Sequence, residues 1–153
     1  IDISGFGPAA TALASRVGDG FITMTPDESM VEQFRKGGGA GKPVIGGTKV
    51  CYGTDRDECV RTVRKLWFNQ FLPGEMAQIL PSPRHFEQLG PLVTDEMVSE
   101  KAVCGDDVDE HVSALSAFAD AGFDRVYVNQ IGPDQRAFFD FYRTKVLPQL
   151  QQG

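Results

Sequence analysis

Positive charge is in short supply in this chain of 153 residues: 15 Lys and Arg stand against 21 Asp and Glu, for a net charge of −6. No basic cluster interrupts the acidic background, which excludes a nucleic-acid surface. Long apolar runs are missing too; none approaches the roughly 20 residues that a membrane-spanning helix requires. Histidine is limited to His85 and His111, and neither makes an acid–base pair by spacing with Glu75, Glu87 or Glu96. His111 falls in a helix among charges, so a solvated face is expected for it. The three cysteines, Cys51, Cys59 and Cys104, form no CxxC pair and lie near no histidine cluster. That pattern argues against a metal centre or a disulfide framework. It points to small buried hydrophobes in a reducing, cytoplasmic setting. The length suits a single domain, 1–153, with its own core. The chain starts at Ile1, without methionine and inside an expected strand, as a processed chain or a fragment would.

What is present is an alternation of strand and helix. The strands are expected at Ile1–Ser4, Gly20–Met24, Gly47–Tyr52 and Arg125–Asn129. Between the first two lies the turn Ser4-Gly5-Phe6-Gly7-Pro8, leading into an alanine-rich helix that Gly18 stops. Pro8 suits the first helical position, where no N–H is needed, and the two glycines allow a ligand close to the backbone. A strand entering a helix through such a turn aims backbone amides at an anion. Thr25-Pro26-Asp27-Glu28 reads as a capping box, with Thr25 as the cap, for a helix ending at Gly37. Thr54-Asp55-Arg56-Asp57 caps a helix carrying Val60, Val63, Leu66 and Trp67. The prolines at 73, 81, 83 and 91 break residues 72–100 into a helical insertion before the last repeat. Asp106 is the expected cap of a helix burying Val112, Leu115, Phe118 and Ala119, and a last helix with Phe138, Phe141, Tyr142, Val146 and Leu150 on one stripe follows Gly132-Pro133.

Lys42 in Gly37-Gly38-Gly39-Ala40-Gly41-Lys42-Pro43 superficially suggests a phosphate loop. The Walker spacing requires Ser or Thr after the lysine and a helix beyond, whereas Pro43 and a strand follow here, so the segment is a linker. Four βα units with right-handed crossovers make an α/β fold with a parallel sheet. They are either half of an eight-stranded barrel or a small open sheet covered on both faces. Lys49, inside the third strand, either contacts a ligand or snorkels to solvent.

Ser4-Gly5-Phe6-Gly7-Pro8, Gly18-Asp19-Gly20-Phe21-Ile22, Gly47-Thr48-Lys49-Val50-Cys51-Tyr52-Gly53-Thr54-Asp55, and Gly122-Phe123-Asp124 with Gly132-Pro133-Asp134-Gln135 resemble segments of the bacterial-luciferase-like oxidoreductases. The branch most similar uses the deazaflavin coenzyme F420 and includes F420-dependent glucose-6-phosphate dehydrogenases. The resemblance covers Ser4 to about Leu150 and implies a parallel (βα)4 unit, the C-terminal half of a TIM-type (β/α)8 barrel. It implies that Gly5, Phe6, Gly7, Ala9 and Ala10 hold the phosphate tail of F420, with FMN the lesser alternative. It places Met24, Thr25 and Lys101 at the substrate. Asp27 and Ala77 stand where sugar-phosphate enzymes carry lysine, and a carboxylate repels a phosphate, which disfavours glucose 6-phosphate.

By the same resemblance, the coenzyme ring pocket and the catalytic histidine belong to the other half of the barrel, so no catalytic residue is assigned within this chain. An anion contact at a helix N-terminus contributes about 0.3–1 kcal/mol. Catalysis asks for about 8 kcal/mol or more. The chain by itself is therefore expected to be inactive, with its open sheet edges covered by the missing half or by a second copy of the chain in a homo-oligomer. The competing reading is a non-catalytic α/β binding or association module without a redox role.

Overall fold

The computed structural model describes residues 1–151. Among the described residues the strands are β1 (Asp2–Ser4), β2 (Gly20–Thr23), β3 (Val44–Cys51), β4 (Val103–Cys104) and β5 (Arg125–Gln130). They pair in the order β1-β2-β3-β4, and β5 also pairs β3. β1 to β2, β2 to β3 and β3 to β4 are parallel pairs, in registers that include Ser4↔Ile22, Thr23↔Gly46 and Cys51↔Cys104. The sheet is therefore parallel, as expected for βα repeats. Two details differ from the sequence reading. β3 starts at Val44, three residues before Gly47, and the short β4 was not expected at all. A strand of two residues is held by pairing, with no periodicity of its own to show in a sequence.

By contacts the chain divides into two compact units. The first comprises Ile1–Thr48, Asp109–Asn129 and the chain from Val146. Here α1 (Pro8–Val17), α2 (Glu28–Phe34) and α7 (Val108–Asp120, from its second residue) accompany β1, β2, the start of β3 and β5 up to Asn129. Its core gathers Ala14, Phe21, Val31, Phe34 and Val44, with the Phe21 and Phe34 rings stacked at 5.2 Å between centroids. Each fully buried aliphatic or phenyl side chain contributes about 1.5–3 kcal/mol. The glycine-rich linker is partly structured: Arg35–Gly39 continues α2 as a π-helical turn, with Gly38 at φ 118°, a left-handed value that favours glycine.

The second unit comprises Lys49–Val108 and Gln130–Lys145. It contains the end of β3, α3 (Arg56–Trp67), the expected insertion and α8 (Gln135–Phe141). The insertion consists of α4 (Met76–Ile79), α5 (Pro83–Leu89), a 3₁₀ turn at Gly90–Leu92 and α6 (Asp95–Ser99). Its core joins Cys51, Cys59, Val60, Val63, Val93, Val98 and Cys104. The three cysteines are buried and reduced, as the sequence reading holds. Burial pushes the Cys51 and Cys59 thiols up from their ordinary pKa.

Three local expectations are corrected. The cap of α2 is Asp27, two residues beyond Thr25, because the Asp27 carboxylate accepts from the Ser29 amide at 2.9 Å. α7 starts at Val108, so Asp107, and not Asp106, adjoins its first residue. His111, expected on a solvated face, is 1% exposed, whereas Ala119, expected inside, is exposed. Asp55 does cap α3, accepting from the Glu58 amide at 3.0 Å.

Candidate functional site

The turn between β1 and α1 is built from glycine, for two separate reasons. The Gly5 amide donates to the Ile22 carbonyl at 3.1 Å, extending the β1–β2 ladder by one bond. A Cβ on Gly5 would stand 2.7 Å from the Ala10 Cβ, so only glycine lets the strand end meet the helix this closely. Gly5 thus supplies space, and its own donor is already used. Gly7 is the N-cap of α1, with extended backbone (φ −163°) and no atom within 4 Å of where a Cβ would be. Its carbonyl accepts from the Thr11 amide and hydroxyl, both at 3.0 Å.

No side chain caps α1, and no acid lies in its first turn. By contrast α2, α3, α6 and α8 are capped by their own Asp27, Asp55, Thr94 and Asp134. With Pro8 at the first helical position, the amides of Ala9 and Ala10 head a ten-residue helix whose N-terminal partial charge is not met by its own side chains. Phe6, 65% exposed, flanks this end. All five residues assigned to the coenzyme tail therefore lie in one turn, and the chemistry of that turn fits an anion.

The chain leaves β2 at Met24 and Thr25, from the same end of a paired parallel strand. Met24 is partly buried, and its sulfur accepts from the Tyr127 hydroxyl at 3.1 Å. Thr25 is exposed and its carbonyl accepts from the Asp27 amide at 2.9 Å. The Asp27 carboxylate also takes the Ser29 hydroxyl at 2.6 Å, which, ahead of the backbone contacts, holds its pKa below the usual carboxylate range. Tyr127 was missed by sequence reasoning. The available signal was Gly47, whose absent side chain leaves room for that ring.

In the second unit, Lys101 is exposed in the turn that leaves α6, its amide donating to the Val98 carbonyl at 3.1 Å. Ala77 lies exposed on α4. The Lys49 ammonium sits 4.8 Å from the centre of the Trp67 ring, and burial pulls its pKa down. Gln130, also missed, is buried and clamps Tyr52: its carbonyl oxygen accepts from the Tyr52 amide at 2.9 Å and its amide donates to the Tyr52 carbonyl at 3.1 Å. Beside this clamp the β3–α3 and β5–α8 turns line a cavity of about 270 Å³. Among the described residues, no three His, Cys, Asp or Glu side chains are placed to hold a metal, and no helix is long and apolar enough to cross a membrane.

The fold is that of about half of an F420-dependent, luciferase-like α/β enzyme. An F420-dependent secondary alcohol dehydrogenase, solved with an F420–acetone adduct, matches 97% of this chain with 48% of its own at a TM-score of 0.79 and 21% identity. The F420-dependent tetrahydromethanopterin reductase of Methanopyrus kandleri matches 97% of the chain with 50% of its own, at 0.68 and 16%.

Sequence gives the nearer relationship. The chain is homologous to proteins named F420-dependent glucose-6-phosphate dehydrogenase: that of Nakamurella multipartita is 29% identical over 163 residues, covering 99% of this chain, and that of Beutenbergia cavernae is 27% identical over 161 residues, covering 97%. The chain spans about half the length of these relatives, 48% of each. No protein-family model matches it.

Proposed function

We propose that this chain is the C-terminal portion of an F420-dependent, luciferase-like oxidoreductase that transfers hydride between a small alcohol or similar molecule and the deazaflavin. In this reading it supplies the coenzyme's phosphate-tail cradle and the substrate loops. The observation that carries the reading is the uncapped N-terminus of α1 behind Gly7, in a chain whose relatives are named for F420. The amides of Ala9 and Ala10 face the phosphate, Gly7 gives it backbone access, and Phe6 covers its side. An anion there gains about 0.3–1 kcal/mol from the helix dipole, up to roughly 2 where partly buried. That is enough to place a tail and far short of the cost of hydride transfer.

The coenzyme, when bound, supplies the hydride acceptor. The ring pocket and the proton-transferring group come from a complementary half barrel. Met24, Thr25 and Lys101 border the substrate. With Asp27 and Ala77 where a sugar phosphate would meet lysines, the preferred substrate is a neutral oxygenated molecule. The exposed row Arg125, Tyr127 and Asn129 on β5 supports a missing cover, because parallel sheets are normally covered on both faces.

The test is a fluorescence titration with F420 and with its chromophore lacking the phosphate tail. The chain alone is expected to bind F420 weakly and the tail-less chromophore not at all. Addition of the complementary half is expected to raise F420 affinity by at least tenfold. Equal binding of both ligands, or no binding of F420 in either state, contradicts the proposal and favours an association module without redox role.

A further inference from the structure

The acidic background of the chain has a local exception that the sequence reading passed over. Arg61, Arg64 and Lys65 stand at i, i+3 and i+4 on α3 and so share one helix face. Across from them are Phe68, the Gly90-Pro91 turn and Asp95, and together these residues of the second unit line a cavity of about 430 Å³. Like charges at this spacing repel, and the fold answers them with a single carboxylate: Asp95 accepts from Arg64 Nη1 at 3.0 Å. Among the described residues, the side chains of Arg61 and Lys65 have no hydrogen-bond or ion-pair partner, although Asp57 stands one turn before Arg61. Arg64 and Lys65 lie in the last turn of α3, where cations complement the helix dipole, but Arg61 lies outside it. The cavity shares no residue with the coenzyme cradle or with Met24, Thr25 and Lys101.

We propose that this cavity binds a small phosphomonoester, its phosphoryl group held by Arg61, Arg64 and Lys65. Three cations against one carboxylate give the lining a net charge of +2, and a phosphomonoester carries about −1.5 to −2 near neutral pH. A carboxylate or a sulfate ester, with one negative charge, leaves the cations undercompensated. Arg64 keeps further N–H donors beyond the one on Asp95, and guanidinium groups match phosphoryl oxygens in pairs. Phe68, partly buried against the core of the unit, offers the organic part of the ester an apolar wall. The volume suits a small ligand, and three cations are too few to track a nucleic-acid backbone.

The charge match makes binding depend on the ligand's own ionisation. No histidine lines the cavity. The charged groups around it are the three cations of α3, Asp95 and, next along α6, Glu96, whose pKa a backbone hydrogen bond helps to hold low. Groups of these types do not titrate between about pH 5.5 and 8. A phosphomonoester does, at about pH 6, so its affinity rises with pH across that window.

The experiment is a titration of the intact chain with phenyl phosphate and with phenyl sulfate, its singly charged counterpart. Binding is followed by the emission of Trp67, the single tryptophan, two residues beyond Lys65, with circular dichroism to check folding. At about pH 8 the phosphate is expected to bind at least tenfold more tightly than the sulfate, and to lose that advantage as pH falls through about 6. Arg61→Glu and Lys65→Glu, both at exposed positions, are each expected to lose at least tenfold. Asp95→Asn removes the one carboxylate of the lining and is expected to gain at least threefold, a result that no loss of folding can mimic. Gly7→Asp and Lys101→Ala are expected to stay within twofold, which separates this site from the coenzyme cradle and from the substrate residues. No saturable binding, equal affinity for the two ligands, undiminished binding in either charge reversal, no gain in Asp95→Asn, or a tenfold loss in Gly7→Asp or Lys101→Ala overturns the site.

Discussion

The Tyr127 ring occupies the space that a side chain on Gly47 would fill: a Cβ there would overlap Tyr127 Cζ. The ring crosses β3 from β5 and ends with its hydroxyl on the sulfur of Met24, just beyond β2. One tyrosine thereby ties three strands together and fixes a residue assigned to the substrate.

Gly46 and Gly47 are therefore not interchangeable. A Cβ on Gly46 would meet Phe118 Cδ1 at 2.5 Å, and Phe118 is 3% exposed with no room to turn away. Tyr127 is 46% exposed and can swing outward. Gly46→Ala is expected to cost about 1–3 kcal/mol in urea denaturation, the range for overpacking a core. Gly47→Ala is expected to cost less, and to release Met24 and alter its side-chain NMR signals. Equal losses would show that Tyr127 is fixed as firmly as Phe118.

Lys49 and Trp67 provide an optical probe, since Trp67 is the single tryptophan of the chain. Burial disfavours the Lys49 cation, so its folded pKa lies below the ordinary lysine value of about 10.4. The unfolded chain then holds the proton more tightly. This group's contribution to stability accordingly rises with pH between the folded and unfolded values. Trp67 emission is expected to titrate with a midpoint below pH ~10.4, and Lys49→Met to abolish the transition. A midpoint at the ordinary value would remove the burial argument.

Asp27 gives a pH effect of the opposite kind. The Ser29 hydroxyl and the helix amides lower its folded pKa, so its stabilisation is fully present above about pH 4 and is lost as pH falls through the folded value. Asp27→Asn is expected to lower stability near neutral pH, where the parent carboxylate is charged, to flatten the curve in that window, and to match the parent below the folded value. An acid limb identical to that of the parent would show that the cap does not depend on the charge.

The parallel βα pattern, the insertion and the glycine turn were legible in the sequence, because each depends on local periodicity or on residues with special backbone needs. Asp55 was legible as a cap because its helix starts immediately after it. Thr25 was the wrong cap because Pro26 fits the start of a helix as well as the turn before one, and the choice fell to the Asp27–Ser29 contact. β4 was illegible, as pairing with β3 alone holds it. His111 was misplaced because its flanking acids describe the helix and not the packing around it. Tyr127 was missed because its contacts, Gly47 and Met24, lie 80 and 103 residues away in the chain.

Gly7 allows the coenzyme cradle to be tested with stability and binding moving in opposite directions. Its backbone is extended and a Cβ there meets nothing. Gly7→Asp therefore places an acceptor at the cap of α1 and is expected to stabilise the fold by a few tenths of a kcal/mol. The same carboxylate would occupy the cradle and repel the phosphate tail. The decisive measurement is the F420 dissociation constant of the chain assembled with its complementary half, for the parent and for Gly7→Asp. A loss of at least a hundredfold in a variant that melts no lower than the parent is expected. An unchanged dissociation constant would mean that the tail of the coenzyme lies elsewhere.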